Sequence, residues 1–597
     1  MSLDEHQIDV AAMVSLDLDA LLAEVVPKDC ETYASAVQLL RREEGRWNLA
    51  QSWCLGFVGD VLGMALKPDQ PAEPYGPTFA SRAGRSAIPS DFSKDALKEL
   101  EKWVADLRDP ELRARFFDLL WIQAKLFSAA KGAVDAYVES AKRLEHPQDW
   151  PPAVERLERA MRLSISLDKG GTELKHRVLG EIEAMLRRHK GTDPLYLSLR
   201  LTRLLLEFKH GSADQWVPFA MTASWRADEE SDFIRSRRYL QLAADCHKAA
   251  GDKMAAEALM LDAAETLVKE AAAARAALGR GAMVAASFLS DAVQAFRQVP
   301  GGKVRAAELH DQLLVMQQEA RSELHVVSTR TNVSALIEVA MQSVREKALA
   351  EAVMALCAMA VPPSKDKLKL EVLEQAKVAV LSSLIDADVL NARGRVVARA
   401  PALRGRTAEE SELGLRWRMF RQARDLRNLA VQAMLIPASE YIMATHAPNR
   451  QDVAELIQYS PWVPQGHAES LMRALVAGFQ GDMLVMGHMV PLQLEALIRH
   501  VVELKGGSTS KLEPSGVQSE RLLPALLETP EALDAFGEDG VFELQGILVD
   551  QLGTNLRNEI AHGLRDDAHL FDVDVFYAWI LLLRLCVLTS RLAAPRS

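Results

Sequence analysis

Apolar residues recur at spacings of three and four along most of this chain. Leu97, Leu100, Trp103, Val104 and Leu107 do so, and Leu119, Ile122, Leu126 and Ala129 do so again. At 3.6 residues per turn such positions line one side of a helix, so a chain written this way must bury helix against helix. Composition agrees. Aromatic residues make up only 6% of the chain, while Ala, Leu, Glu and Arg, all good helix formers, dominate it. The expected fold class is all-α: a long helical, repeat-like N-terminal region followed by a C-terminal helical bundle.

With 597 residues the chain exceeds what one core usually supports, so several domains are expected. A hydrophobic content of 49% beside 25% charged residues is ordinary for a soluble globular protein. The net charge of −12 argues against a protein that coats nucleic acid by bulk electrostatics. A nucleic-acid site needs only a local basic patch. Cys30, Cys54, Cys246, Cys357 and Cys586 are scattered without a C-x-x-C, which suits a reducing compartment and excludes a zinc ribbon. The N-terminus from Met1 to Glu5 is acidic and reads as no signal peptide. The longest apolar run, Val575 to Leu583, ends at Arg584 and is too short to span a bilayer. No membrane association and a cytoplasmic location are expected.

Breakers divide the chain. Residues 1–66 read as a small helical unit. Four prolines between Lys67 and Pro77 cannot sit in a helix interior, so 67–92 reads as a linker. Helical periodicity resumes after Ser93, a candidate N-cap, and 93–340 reads as helical hairpins, with breaks at Pro110, His146-Pro147 and Gly170-Gly171. Ala243, Ala263 and Ala285 are spaced by 20 and 22, which suits stacked helices whose backbones approach at alanine. Either tetratricopeptide-like stacking or an irregular bundle satisfies that spacing. Residues 341–440 read as a connector, and 441–597 as a compact domain. Its expected helices cover 466–480, 484–504, 520–528, 541–562 with a break at Gly553, and 571–592. Phe571, Val575, Trp579, Leu582 and Leu585 would share a face of the last.

The connector has its own texture. Between Asp386 and Pro401 a turn at Gly394 and the Val396-Val397 pair predict a short hairpin. From Arg393 to Arg427, ten arginines face four acids. Two readings stay open. The arginines pair with acids elsewhere, or Arg416, Arg418, Arg421 and Arg424 form a track for an RNA backbone.

The chemistry concentrates in Asn555-Leu556-Arg557-Asn558-Glu559-Ile560-Ala561-His562-Gly563. Arginine is a permanent cation with a fork of donors that fits phosphate. Histidine takes and gives a proton near neutral pH. On an ideal helix Arg557 and His562 would lie roughly 140° apart, so the long arginine must reach round. Asn558 and His562, four apart, share a face, and Asn558 could fix the imidazole tautomer or touch the phosphate. Gly563 is a natural helix stop, which would leave His562 at a helix C-terminus, where the dipole favours imidazolium. Glu495 and Arg499, four apart upstream, either orient Arg557 or His562 or form a plain intrahelical ion pair.

The R-x-x-x-x-H spacing, the upstream Pro491, Glu495 and Arg499, and the segments Leu522–Leu527 and Phe542–Gly553 together resemble the HEPN superfamily. They are similar to a bacterial C-terminal family of uncharacterised function, and to the domain in an endoplasmic-reticulum-membrane-associated RNA degradation protein. The resemblance covers roughly residues 485–565. It implies a metal-independent endoribonuclease with Arg557 and His562 as catalytic residues, and Asn558, Glu495 and Arg499 in support. It also implies two copies meeting across a homo-oligomer to form one cleft, and products ending in a 2′,3′-cyclic phosphate and a 5′-hydroxyl. The partners would be an RNA substrate, a second copy, and a protein trigger held by the helical region. A restrained effector of antiviral or abortive-infection defence is the biological role it suggests. No cofactor or metal is expected.

Rival chemistries find less support. His562, Asp566, Asp567 and His569 have no standard zinc spacing. Leu564 stands where HEPN toxins silenced by adenylylation often carry tyrosine. P-loop, serine-hydrolase and zincin motifs do not occur. The alternative function is a non-catalytic RNA-binding or assembly protein, or an adaptor whose C-terminal domain only dimerises.

Overall fold

The computed structural model describes residues 9–81, 84–277, 281–323, 331–391, 393–514 and 516–593. The acidic stretch from Met1 to Glu5 lies outside them. The fold is all-α. Among the described residues strands occur only as four two-stranded antiparallel hairpins. The chain forms two compact units, Met1–Leu313 and Leu314–Ser597.

The N-terminal unit begins with short helices, then Cys30–Arg41 and Leu49–Leu62. The proline-rich stretch that follows is no free linker. Tyr75 and Phe92 are buried in the same core as Leu55 and Val58 before it and Leu97, Leu100 and Phe116 after it. Residues 1–66 and 93–120 are therefore one packed body, and 67–92 is folded into it. The prolines exclude helix without excluding burial. Ser93 does precede the helix Lys94–Glu99, though its side chain makes no capping bond. Pro110 opens the helix Pro110–Ala124 at a position where its missing N–H costs nothing. Helices Phe127–Arg143 and Pro151–Ser166 pack in succession against it.

Further on, Val217–Glu229, Phe233–Ala250, Lys253–Ala277 and Ala282–Gln298 also pack in succession. Ala243, Ala263 and Ala285 are all buried, at 0%, 2% and 0% exposure. Gly251 holds one turn with a φ of 89°, a conformation glycine adopts without strain.

In the C-terminal unit the expected connector and terminal domain share one core. Val344, Val353 and Leu356 lie in the same buried cluster as Leu475, Leu494, Ile547 and Trp579. The hairpin appears as Ala387–Leu390 paired with Val396–Ala400, turning through Gly394 with a φ of 75°. The arginine-rich helix Ala408–Ala430 runs through a π-helical turn, Val431–Leu435, into Ile436–His446. Pro437 sits at the start of that segment, and the wide turn accommodates its missing donor.

Ala468–Phe479, Met483–Leu504 and Val573–Ala593 fall close to expectation. The expected 520–528 helix is shorter, Leu523–Leu527, after a strand Gln518–Glu520. The expected 541–562 helix is two: Pro530–Leu548, bent at Gly537, and Leu556–Ala561. The last helix is long and apolar enough to cross a membrane by length and composition, but 72% of its apolar window is buried inside the unit. Trp579 is fully buried there, its indole N–H donating to the Leu475 carbonyl at 3.1 Å. Phe571 precedes this helix and is 65% exposed, so it does not share the buried face of Val575, Trp579 and Leu582.

Candidate functional site

Asn555 enters the motif helix, Leu556–Ala561, from a left-handed conformation with a φ of 51°. Asparagine tolerates that conformation better than most residues. The helix ends as the sequence expects. His562 is its C-cap, Gly563 takes a φ of 62°, and the Leu564 N–H reaches back to the Glu559 carbonyl at 2.8 Å while the Gly563 N–H reaches Ile560 at 3.0 Å. This is a Schellman closure. Leu556 and Glu559 are buried and fix the helix against the unit, whereas His562 is exposed.

The two motif side chains are held very differently. Arg557 donates from Nε to Glu495 Oε2 at 2.5 Å, and from Nη1 to Asn558 Oδ1 at 3.0 Å. Glu495 is 8% exposed on Met483–Leu504, and its other oxygen takes Arg499 Nη2 at 2.8 Å. Arg499 also donates to the Arg521 carbonyl at 2.8 Å. One buried carboxylate thus faces two guanidinium groups, and Arg499 pairs in addition with Glu520 at 3.4 Å. The imidazole of His562 has no hydrogen-bond or ion-pair partner among the described residues. Asn558 is occupied by Arg557 and by Asn555 Oδ1, at 2.7 Å, and makes no bond to the His562 ring. Glu495 and Arg499 bear on Arg557, not on His562.

Behind the motif helix runs an ionic network that the sequence did not reveal. Arg565, 7% exposed at its side chain, donates to Glu559 at 2.7 Å and to the His569 carbonyl at 3.2 Å. Asp572 takes Arg565 at 3.4 Å and Arg424 at 3.2 Å. Asp574, at the start of the last helix, takes Arg424 at 2.9 Å, Arg427 at 3.2 Å and the Thr554 hydroxyl at 2.9 Å. Burial works against the charged form of Asp574, but Arg427 and Arg424 hold its carboxyl below the usual range. Arg427 is 3% exposed and also pairs with Glu543, whose carboxyl burial pushes up. A run of spacings such as 427 to 543 and 574 has no local signature.

The four arginines of the expected RNA track have separate roles. Arg416 pairs with Asp550 at 2.8 Å and lies over Phe420. Arg418 donates to the carbonyls of Gly414 and Ser382 at 2.9 and 3.0 Å, and burial, aided by the Arg421 charge, lowers its pKa. Arg424 belongs to the network just described. Arg421 is exposed, lies over Trp417 and has no carboxylate partner among the described residues. Arg393, at the hairpin turn, donates to the Gly563 carbonyl at 2.9 Å, so the basic segment touches the end of the motif helix. Arg395, Arg404 and Arg406 are exposed and form no ion pair among the described residues.

His569 pairs with Asp566 and accepts from Arg321 at 3.0 Å, and no cluster of three or more metal-ligating side chains forms among the described residues.

No curated protein matches the chain significantly. Residues 3–176, all within the N-terminal unit and outside the motif, match a family described as a domain of unknown function, DUF7380.

Proposed function

We propose that the C-terminal unit is a HEPN-like, metal-independent endoribonuclease acting through Arg557 and His562. The observation that carries this reading is the contrast between the two side chains: Arg557 is anchored by a buried carboxylate, while the imidazole of His562 stands free at an exposed helix end. Anchoring pre-positions a cation for a phosphate. A free imidazole is what proton transfer needs. In this mechanism a base takes the 2′-OH proton, the oxygen attacks the adjacent phosphorus, and an acid protonates the departing 5′-oxygen. His562 performs one of these transfers, and His562 of a second copy performs the other. Arg557 neutralises the charge that builds on the phosphoryl oxygens. The products carry a 2′,3′-cyclic phosphate and a 5′-hydroxyl.

The dimer rests on this chemistry, not on the last helix, whose apolar residues are covered within its own unit. Arg395, Arg404, Arg406 and Arg421 are the exposed arginines without a carboxylate partner among the described residues that would guide RNA toward the motif, beside Arg393 at the Gly563 carbonyl.

A non-catalytic RNA-binding or assembly role is the second reading. It is favoured by the Arg499–Glu495–Arg557 bridge, which gives Arg557 a structural task. Labelled RNA incubated with the full chain in EDTA separates the two: cleavage that His562→Ala removes supports the nuclease, and intact RNA at saturating protein refutes it. A stable monomer in sedimentation that still cleaves RNA would refute the shared cleft.

A further inference from the structure

The N-terminal unit contains a cavity of about 900 Å³ whose wall includes Cys30, Arg115, Glu155 and Arg156. A cluster of buried charge lies beside it, joined to its wall through Arg156. Glu111, 1% exposed, takes Arg156 at 2.6 Å and also accepts from the Cys30 backbone N–H at 3.2 Å and the Ser140 hydroxyl at 2.5 Å. Asp118, fully buried, takes both arms of Arg159 at 2.7 Å and the hydroxyls of Tyr75 and Tyr137 at 2.9 and 3.0 Å. Glu155 meets the remaining arm of Arg156 at 3.0 Å. Each of these carboxylates is therefore committed to another arginine.

Arg115 is the exception. It is 4% exposed and lines the cavity, yet no carboxylate lies within hydrogen-bonding distance of it. Its Nη1 donates to the Met64 carbonyl at 2.7 Å, and its guanidinium lies over the Tyr75 ring at 4.6 Å. The nearby thiol does not supply a counter-charge, because burial pushes Cys30 up to about 12. Glu111 supplies a counter-charge through space but is engaged by Arg156, so the remaining donors of the buried Arg115 guanidinium have no carboxylate of their own to bond. Arginine's remaining donors suit a planar or tetrahedral oxyanion.

We propose that this cavity binds a small molecule through an anionic head group, a carboxylate or a phosphate, seated on Arg115. Glu31 and Asp60, which also line the cavity, disfavour a polyanion such as RNA, while Asp91 there is paired with Arg85. Every residue lining the cavity falls within the stretch that matches the domain of unknown function, so the site belongs to that domain and not to the RNA chemistry.

Thermal unfolding of the full chain with inorganic phosphate or with acetate, against chloride at equal ionic strength, tests this. At ten times the Kd, one of the two anions should raise Tm by about 3 °C. The responding anion identifies the head group. Two variants accompany the parent: Arg115→Met removes the seat, and Ser35→Trp fills the cavity from an exposed helix position while keeping Arg115 in the chain. The shift should vanish in both. If Arg115→Met does not fold, Ser35→Trp alone decides. No shift in the parent with either anion overturns the proposal. So does an equal shift in the parent and Ser35→Trp, which would be a general salt effect.

Discussion

Arg557 donates to Glu495 across 62 positions of sequence, Nε to Oε2 at 2.5 Å, and Glu495 is held from its other side by Arg499 at 2.8 Å. This relationship sets what mutations at the motif should do. Removing Arg557 leaves Glu495 still paired. Removing Glu495 takes from Arg557 its carboxylate, while Arg499 keeps Glu520 and the Arg521 carbonyl.

Arg557→Ala and His562→Ala should therefore both fold, with helical circular dichroism unchanged. RNA cleavage should fall by about 10²–10⁴ in His562→Ala, the usual cost of losing a general acid–base group. Glu495→Ala should lose cleavage and also stability, by about 1.5–3 kcal/mol for charged hydrogen bonds lost. Urea unfolding of the three variants beside a gel assay checks this. Full activity in either motif variant ends the catalytic reading.

The arginine cluster should split by burial. Arg427, bridging Glu543 and Asp574 at 3% exposure, should cost about 3–5 kcal/mol when replaced by Ala, because two buried carboxylates lose a partner. Arg421→Ser should leave stability unchanged. If the exposed arginines guide RNA, Arg395→Ser combined with Arg421→Ser should flatten the salt dependence of binding. The expected change is about 0.7 in slope for each lost single-strand phosphate contact. RNA binding identical to the parent at every salt concentration would show that the cluster is only an ion-pair surface.

The two sets of arginines show what a sequence can and cannot disclose here. Gly563 and Gly394 were legible because a left-handed turn asks for glycine locally, and both positions adopt it. The helices of the C-terminal unit were legible because their period is local too. The proline-rich stretch was legible as non-helical, but its depth was not: Tyr75 is fixed by Asp118, 43 positions away. Arg427 looked like Arg421 because an ion pair is decided by tertiary placement, and its partners lie 116 and 147 positions off. For the same reason the cavity around Arg115 had no signal in the sequence.

Packing against the last helix offers a test free of any functional assumption. A Cβ on Gly478 would lie 1.9 Å from the Trp579 ring, which is itself fully buried and hydrogen-bonded. The ring has no room to retreat. Gly478→Ala should lower stability by about 1–3 kcal/mol, the cost of overpacking, even though alanine is the better helix former. A variant as stable as the parent in urea would mean that this helix is not held as described.

The buried ion pairs of the N-terminal unit should set its acid sensitivity. Burial alone would raise the Glu111 pKa, but Arg156 and Ser140 hold it down at about 2, against an ordinary 4.5. A carboxyl with a depressed folded-state pKa binds fewer protons when folded than when unfolded. Its contribution is therefore complete above about 4.5 and is lost as pH falls toward about 2. Unfolding free energy of the parent should decline across that window. Glu111→Gln should be less stable at neutral pH, since Arg156 keeps only Glu155, and its decline across the same window should be shallower. Parallel pH profiles for the two proteins would show that Glu111 is not the group whose protonation weakens this core.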